Sequence, residues 1–125
     1  KKEAPKPAQK AAGKTEGIAL IGIDDFAKLQ MKTAEVIAAE VVPEADRLLK
    51  LQVKIGAETR QVVAGIAQFY GVDEIVGKTV IVVTNLQPAV IRGVESNGML
   101  LAAKKKRKLR LITVDGDIPT GASIG

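Results

Sequence analysis

Seven residues near one end of the chain, Lys104–Arg110 (KKKRKLR), bring together six basic side chains and no acid. Cations at that density suit a polyanion, because each Lys or Arg that neutralises a phosphate releases condensed counterions. The same run would also serve as a solvated face that keeps a small domain soluble. Gly77-Lys78-Thr79 has the tail of a phosphate-binding loop, but the glycine needed five residues before Gly77 is absent, since Val72 stands there. A strand pattern also follows these residues, where that motif needs a helix. The acidic pairs Asp24-Asp25 and Asp73-Glu74 fit the first turns of short helices, where the backbone dipole favours negative charge. The chain has no His and no Cys. Thiolate zinc sites, cysteine nucleophiles and Ser-His-Asp arrangements are therefore excluded, and with His goes the commonest general base. Binding is the better reading than catalysis.

The elements that must carry such a binding surface read mostly as strands. Met31–Val42 is a long strand candidate, ended by a turn at Pro43-Glu44-Ala45-Asp46. Leu49, Leu51, Val53 and Ile55 alternate with Lys50, Gln52 and Lys54, the period of a half-buried strand. Gly56-Ala57-Glu58 supplies a hairpin turn, and Arg60–Ile66 returns antiparallel. Short helical turns are expected at Ala67–Tyr70 and Asp73–Val76, with Gly77 closing the second. Lys78–Thr84 is β-branched and nearly continuous, which predicts burial on both faces. Met99–Ala102 and Leu109–Val114 are the last strands, separated by the basic run. Asp24–Leu29 reads as a short helix capped by Asp24. This pattern predicts an all-β fold with short helices, built as a small closed or partly open barrel.

At 125 residues there is room for one domain. Aromatic residues are 2% of the chain, too few for rows that stack on bases. The formal net charge of +5 is uneven: residues 1–16 and the run at 104–110 hold the excess, while residues 17–103 carry slightly more acid than base. Residues 1–16 are rich in Lys, Ala and Pro and lack a hydrophobic period, so they read as a disordered linker ahead of a folded domain at 17–125. A chain that starts in such a linker is expected to be a piece from the C-terminal side of a longer polypeptide. The apolar stretch Gly17–Ile23 is short and runs into Asp24-Asp25, unlike a signal peptide, and no stretch is long enough to span a bilayer. A cytoplasmic protein without membrane or metal partners is expected.

The segment Gly77–Ala103 (GKTVIVVTNLQPAVIRGVESNGMLLAA) resembles the signature of the tRNA-binding domain appended to several translation proteins. IDDFAKL (23–29), EADRLLKLQV (44–53) and ETRQVVAGIAQFY (58–70) agree with that family in order and spacing, so the resemblance covers about a hundred residues. It implies a five-stranded OB-fold barrel with a C-terminal strand extension. The ends of the chain make it most similar to the C-terminal domain of bacterial methionyl-tRNA synthetases, a module that binds tRNA with little sequence preference and forms homodimers. Aminoacylation, with its ATP and methionine, is then expected in a catalytic body outside this segment, and no cofactor or catalytic residue within it. Two other readings stand beside this one: a dimerisation module with weak RNA affinity, and a stand-alone tRNA-binding or chaperone-like protein.

Carried over residue by residue, the resemblance implies tRNA contacts at Asn85, Ser96 and Met99. Asn85 and Ser96 are short polar groups able to hydrogen-bond phosphate, ribose or a base edge, and Met99 offers an adaptable apolar surface. Each also has a structural reading: a loop cap for Asn85, a turn bond for Ser96, core filling for Met99. Lys32, Lys50 and Arg60 match basic positions of the family. With Lys54, Lys50 and Arg60 would form one basic face if the second and third strands share it. Arg92 stands where relatives are apolar, and Gln87 and Val90 where they carry Lys. Gln30 and Ala64 also depart from the usual Asp and Ser. Lys104, Lys105 and Lys106 occupy what is often an acidic or Gly-containing turn, so basic charge is redistributed. For a homodimer, Leu111–Ile124 and the Val90–Ser96 loop are the expected interface.

Overall fold

The computed structural model describes residues 17–125; the linker expected over residues 1–16 lies outside the described residues. Chain order is α1 (Ile23–Phe26), β1 (Met31–Val42), β2 (Ala45–Ile55), β3 (Glu58–Ala64), α2 (Val72–Ile75), β4 (Thr79–Val83), β5 (Ala89–Ile91), β6 (Val94–Ser96), β7 (Met99–Leu100), β8 (Ala102–Lys105), β9 (Lys108–Leu111) and β10 (Ser123–Ile124). The main sheet runs β3-β2-β1-β4-β7, all antiparallel, with β10 added beside β1. β6 and β7 also lie against β3. There the Asn97 N–H donates to the Gln61 carbonyl at 2.8 Å, and the Val63 N–H donates to Ser96 Oγ at 2.9 Å. These bonds satisfy the free edge of β3 and curl the sheet into a barrel, the arrangement of an OB-fold.

β1 can serve both halves of the barrel because it is long and irregular. Its first residues pair with β4, and those from Glu35 onward pair with β2. A register shift between Val36 and Ala38 lies just past the changeover, the kind of bulge that bends a strand. The alternation read in β2 puts Leu49, Leu51, Val53 and Ile55 into the core with Ala34, Val36, Val62, Val80 and Val82. β4 is buried along Val80–Val83. Its even residues face that core, while Ile81 and Val83 join Met31 in a second cluster covered by Leu101, Val114 and Ile124.

Some boundaries differ from the sequence expectation. The turn after β1 is only Pro43-Glu44, because Ala45 is buried and pairs with Val42; Glu44 takes φ 64° to allow it. The N-cap of α1 is Gly22 rather than Asp24, which lies in the first turn with Asp25. Val90–Ser96 is a hairpin rather than a loop, turning on Arg92 (φ 54°) and Gly93 (φ 80°), the two positive dihedrals a tight two-residue turn requires. The basic run does not separate two strands. It is itself a hairpin, β8–β9, with Lys106-Arg107 at the tip.

The C-terminal segment is bound to the barrel through Thr33, which is fully buried. Its hydroxyl donates to the Pro119 carbonyl and accepts the Ala122 N–H, both at 3.0 Å. Its backbone takes the Gly121 N–H and gives its own N–H to Ala122. Gly121 (φ 87°) lies so close to Gly56 that a Cβ there would stand 3.2 Å from Gly56 Cα. Among the described residues no helix is long and apolar enough to cross a membrane.

Candidate nucleic-acid interface

One face of β2 and β3 carries Lys50, Gln52 and Lys54, with the buried Val63 opposite Lys50, Gln61 opposite Gln52 and Thr59 opposite Lys54. Strand period puts the three β2 side chains outside because their neighbours fill the core. The face is less basic than its lysines alone imply. Lys50 Nζ lies 3.4 Å from Glu40, and Lys54 stands directly across from Glu35 of β1. Gln52 Nε2 donates to Gln61 Oε1 at 3.1 Å, and Gln61 Nε2 donates to the Glu95 carbonyl at 2.8 Å. That chain of amides fixes the β5–β6 hairpin against the sheet.

Arg60 does not join Lys50 and Lys54. It sits opposite Val53, and directly paired residues share a face, so its side chain leaves on the core side. There Nε bonds Glu58 at 2.7 Å and Nη1 donates to the Thr84 carbonyl at 2.6 Å. A guanidinium with a carboxylate and a carbonyl already in place ties β3 to the end of β4. Lys32 lies opposite Val82 and Ser123, on the other face of β1 from the row containing Glu35 and Lys54.

The family-signature residues are also spread out. Asn85 spends both ends of its amide on backbone: Oδ1 accepts the Gln30 N–H at 2.9 Å and Nδ2 donates to the Lys28 carbonyl at 2.6 Å. It holds the chain between α1 and β1. Ser96 is 4% exposed; its hydroxyl accepts the Val63 N–H and donates to the Gly98 carbonyl at 3.2 Å. Burial and these two internal bonds give Ser96 a structural role in the barrel seam. Gly98 has φ 139°, and a Cβ there would come within 2.9 Å of Val82. Met99 is half-exposed opposite Val83, so it remains an accessible apolar surface.

Two arginines do line one cleft. Glu44–Leu48, at the start of β2, and Ile91 and Arg92, at the tip of β5–β6, line a cleft of about 440 Å³. Arg92 Nη2 donates to the Glu44 carbonyl at 2.6 Å, which holds the two loops together while leaving its other N–H groups directed elsewhere. Arg47 and Arg92 line it beside the acidic residues Glu44 and Asp46, and Leu48 and Ile91 supply apolar wall. Such a cleft offers guanidinium donors and an apolar wall together, with two acidic neighbours beside them. Arg47 was not singled out by sequence reading; the signal was its place three residues after the Pro43-Glu44 turn. Lys104, Lys105 and Lys106 lie on β8–β9, whose stem is fixed by Leu101, Tyr70 and Thr79; none of these lines the cleft. Among the described residues no cluster of acids suits a metal ion.

A barrel whose second and third strands, with the loops after the first strand and between the late strands, form the exposed polar surface is an OB-fold nucleic-acid-binding module. Comparison with known proteins narrows this class. The family described as "Putative tRNA binding domain" matches residues 31–123, and the chain belongs to that family. It is 63% identical over 90 residues to the methionine–tRNA ligase of Methanoregula boonei, covering 72% of this chain and 14% of that enzyme. To the enzyme of Thermotoga maritima it is 53% identical over 104 residues, 83% of this chain and 16% of the enzyme. The chain thus spans about one-sixth of the length of these relatives. The solved structure of a methionyl-tRNA-synthetase-related protein from Pyrococcus horikoshii superposes with a TM-score of 0.81 at 40% identity, over 86% of this chain and all of that one. The chaperone CsaA from Picrophilus torridus gives 0.78 at 27% identity, over 85% of this chain and all of that one.

Proposed function

We propose that this tRNA-binding domain holds the phosphate backbone of folded tRNA in the cleft between Arg47 and Arg92, and that it does so as an appendage of a cytoplasmic methionine–tRNA ligase. The observation that carries the reading is the place of these two arginines on one cleft, at the loops by which OB-folds take oligonucleotides. Backbone contacts position a nucleic acid without reading its sequence, and the scarcity of aromatic residues fits that mode. The domain raises the local tRNA concentration for a tethered enzyme. The aminoacylation chemistry, with ATP and methionine, belongs to a catalytic body outside this segment. The folded domain is assigned to residues 17–125, with residues 1–16 as the tether.

The domain also forms a homodimer. Ile18, Leu20, Ile21 and Ile23 are between 63% and 86% exposed, an apolar row that a monomer leaves in water. Ile112, Ile118 and Val90 are exposed as well, within the segments expected at the interface. Pro119–Ile124, by contrast, is bonded to its own barrel through Thr33, Gly56 and β1.

Titration of tRNA against the purified domain at 50 and 200 mM salt, beside sedimentation, tests both parts. Neutralising about four phosphates gives a slope of log affinity against log salt of roughly −3 to −4, with little difference among tRNA species. R47A/R92A is expected to reduce the steepness of that slope by about 1.5. Salt-independent affinity, or discrimination among tRNAs beyond about tenfold, would refute a backbone-dominated mode. A monomer at high micromolar concentration would refute the dimer.

A further inference from the structure

Lys105 and Lys108 are a directly opposed cross-strand pair, and Ala103 faces Arg110 on the same side of the β8–β9 hairpin. Lys104 is opposite Leu109, whose side chain enters the core, so Lys104 belongs to the other face. The basic run is thereby sorted by strand period: Lys105, Lys108 and Arg110 form one outward strip, with Lys106 and Arg107 at the tip. Lys108 and Arg110 are about 6.7 Å apart along the strand, and Lys105 is about 5 Å across from Lys108. All are exposed, and among the described residues none takes part in an ion pair, whereas Lys50 and Arg60 each do. Like charges directly opposed in a ladder repel, and Lys106 adds a left-handed φ of 57° at the turn. The hairpin therefore concentrates charge in an arrangement that its own fold does not favour.

We propose that the outward strip of Lys105, Lys108 and Arg110 is a second tRNA-backbone contact, separate from the cleft, and supplies most of the electrostatic attraction. The proposal rests on the tRNA reading above and deepens it. The occupant must be a dense polyanion, because three cations within about 7 Å match the roughly one charge per 1.7 Å of axis that a nucleic-acid duplex presents. Only Ala103 lies among the cations on this face, so the strip has no wedge or stacking group and contacts backbone alone. Fixing of the stem by the Tyr70 hydroxyl, which accepts the Leu111 N–H at 3.1 Å, and by Thr113, which donates to the Thr79 carbonyl at 2.8 Å, holds the strip at a set angle to the barrel. A bound phosphate chain lowers the Lys105–Lys108 repulsion, so binding and hairpin order reinforce each other.

The test compares K105S/K108S/R110S with a control, K28S, that removes charge elsewhere, and with K105R/K108R, which keeps it. With tRNA as probe, the triple variant is expected to bind at least about tenfold more weakly at 50 mM salt, with a slope shallower by about 2 to 3. The control is expected to lose less per charge, and the Arg pair to bind like the parent. A parent that binds tRNA beside a triple variant with an unchanged slope would overturn the hairpin assignment alone. Equal loss per charge in the control would overturn it too, as would loss of binding to anionic phospholipid vesicles with tRNA binding intact. A parent that fails to bind tRNA at either salt would overturn the underlying reading itself.

Discussion

Replacing Ser96 by Ala removes one hydroxyl from inside the barrel seam. In the native domain that oxygen accepts the Val63 N–H at 2.9 Å and donates to the Gly98 carbonyl at 3.2 Å, and Val63 is buried. The substitution leaves a buried backbone N–H without a partner, which costs about 1–3 kcal/mol. For a domain of this size the melting temperature should fall by roughly 4–15 °C, at about 4–5 °C per kcal/mol. The loss of the second bond, to Gly98, pushes the effect away from the lower bound. Because the hydroxyl is enclosed, tRNA affinity and its salt slope should not change when measured well below the melting transition of both proteins. The assay is a thermal melt by circular dichroism beside a tRNA titration at 50 and 200 mM salt. A variant that melts within about 2 °C of the parent would show that Ser96 does not hold β3 closed. A variant with an unchanged melt and weaker tRNA binding would place the hydroxyl on the RNA after all, and the burial argument would fail.

Gly98→Ala should be more damaging than Ser96→Ala, since the new methyl meets Val82 at 2.9 Å and the Val83 carbonyl at 3.3 Å while the backbone keeps φ at 139°. Overpacking and an unfavourable dihedral together predict about 2–5 kcal/mol of destabilisation, read by urea unfolding; a loss below about 1 kcal/mol would refute the close-packing account. Thr33→Val keeps shape and the two backbone bonds but removes both hydroxyl bonds to the C-terminal segment, so about 2–4 kcal/mol should be lost. Amide exchange at Ala122 and Ser123 should accelerate, and unchanged protection there would mean that the segment is held by other contacts.

How the seam closes bears on what could be read beforehand. The alternation of Leu49, Leu51, Val53 and Ile55 with polar residues is a local property, and so is the β-branched run from Thr79 to Val83. Both became the core strands they predicted, because burying those side chains has one geometric solution once the strands pair. The basic run and the family motifs were equally visible as types and order. The face on which each side chain emerges was not, because face depends on pairing register with a distant strand. Arg60 reads as a companion of Lys50 and Lys54 until its partner is known to be Val53; one residue of register carries it to the opposite side of the sheet.

The sequence by itself determined the class of this protein: a small β domain without His or Cys, charged for a polyanion, whose motif order marks a tRNA-binding family. The β class and the charge are matters of composition and local period, the family is a matter of motif resemblance, and all survive any folding detail. Only the tertiary structure decided which residues form a surface. Ser96 and Asn85 are polar, and polarity alone does not say whether a hydrogen bond will go to RNA or to the chain's own backbone; the barrel seam and the Lys28–Gln30 segment claim them. Arg47 and Arg92 are 45 positions apart, and they line one cleft only because a two-residue turn and a hairpin close over the same end of β2. The alternation Lys108-Leu109-Arg110-Leu111 was written in the chain as a strand, but its meaning as a cationic strip required β8 opposite it, which brought Lys105 beside Lys108. Side-chain chemistry is a property of residues; the concentration of charge that binds a phosphate backbone is a property of distances, and pairing sets the distances.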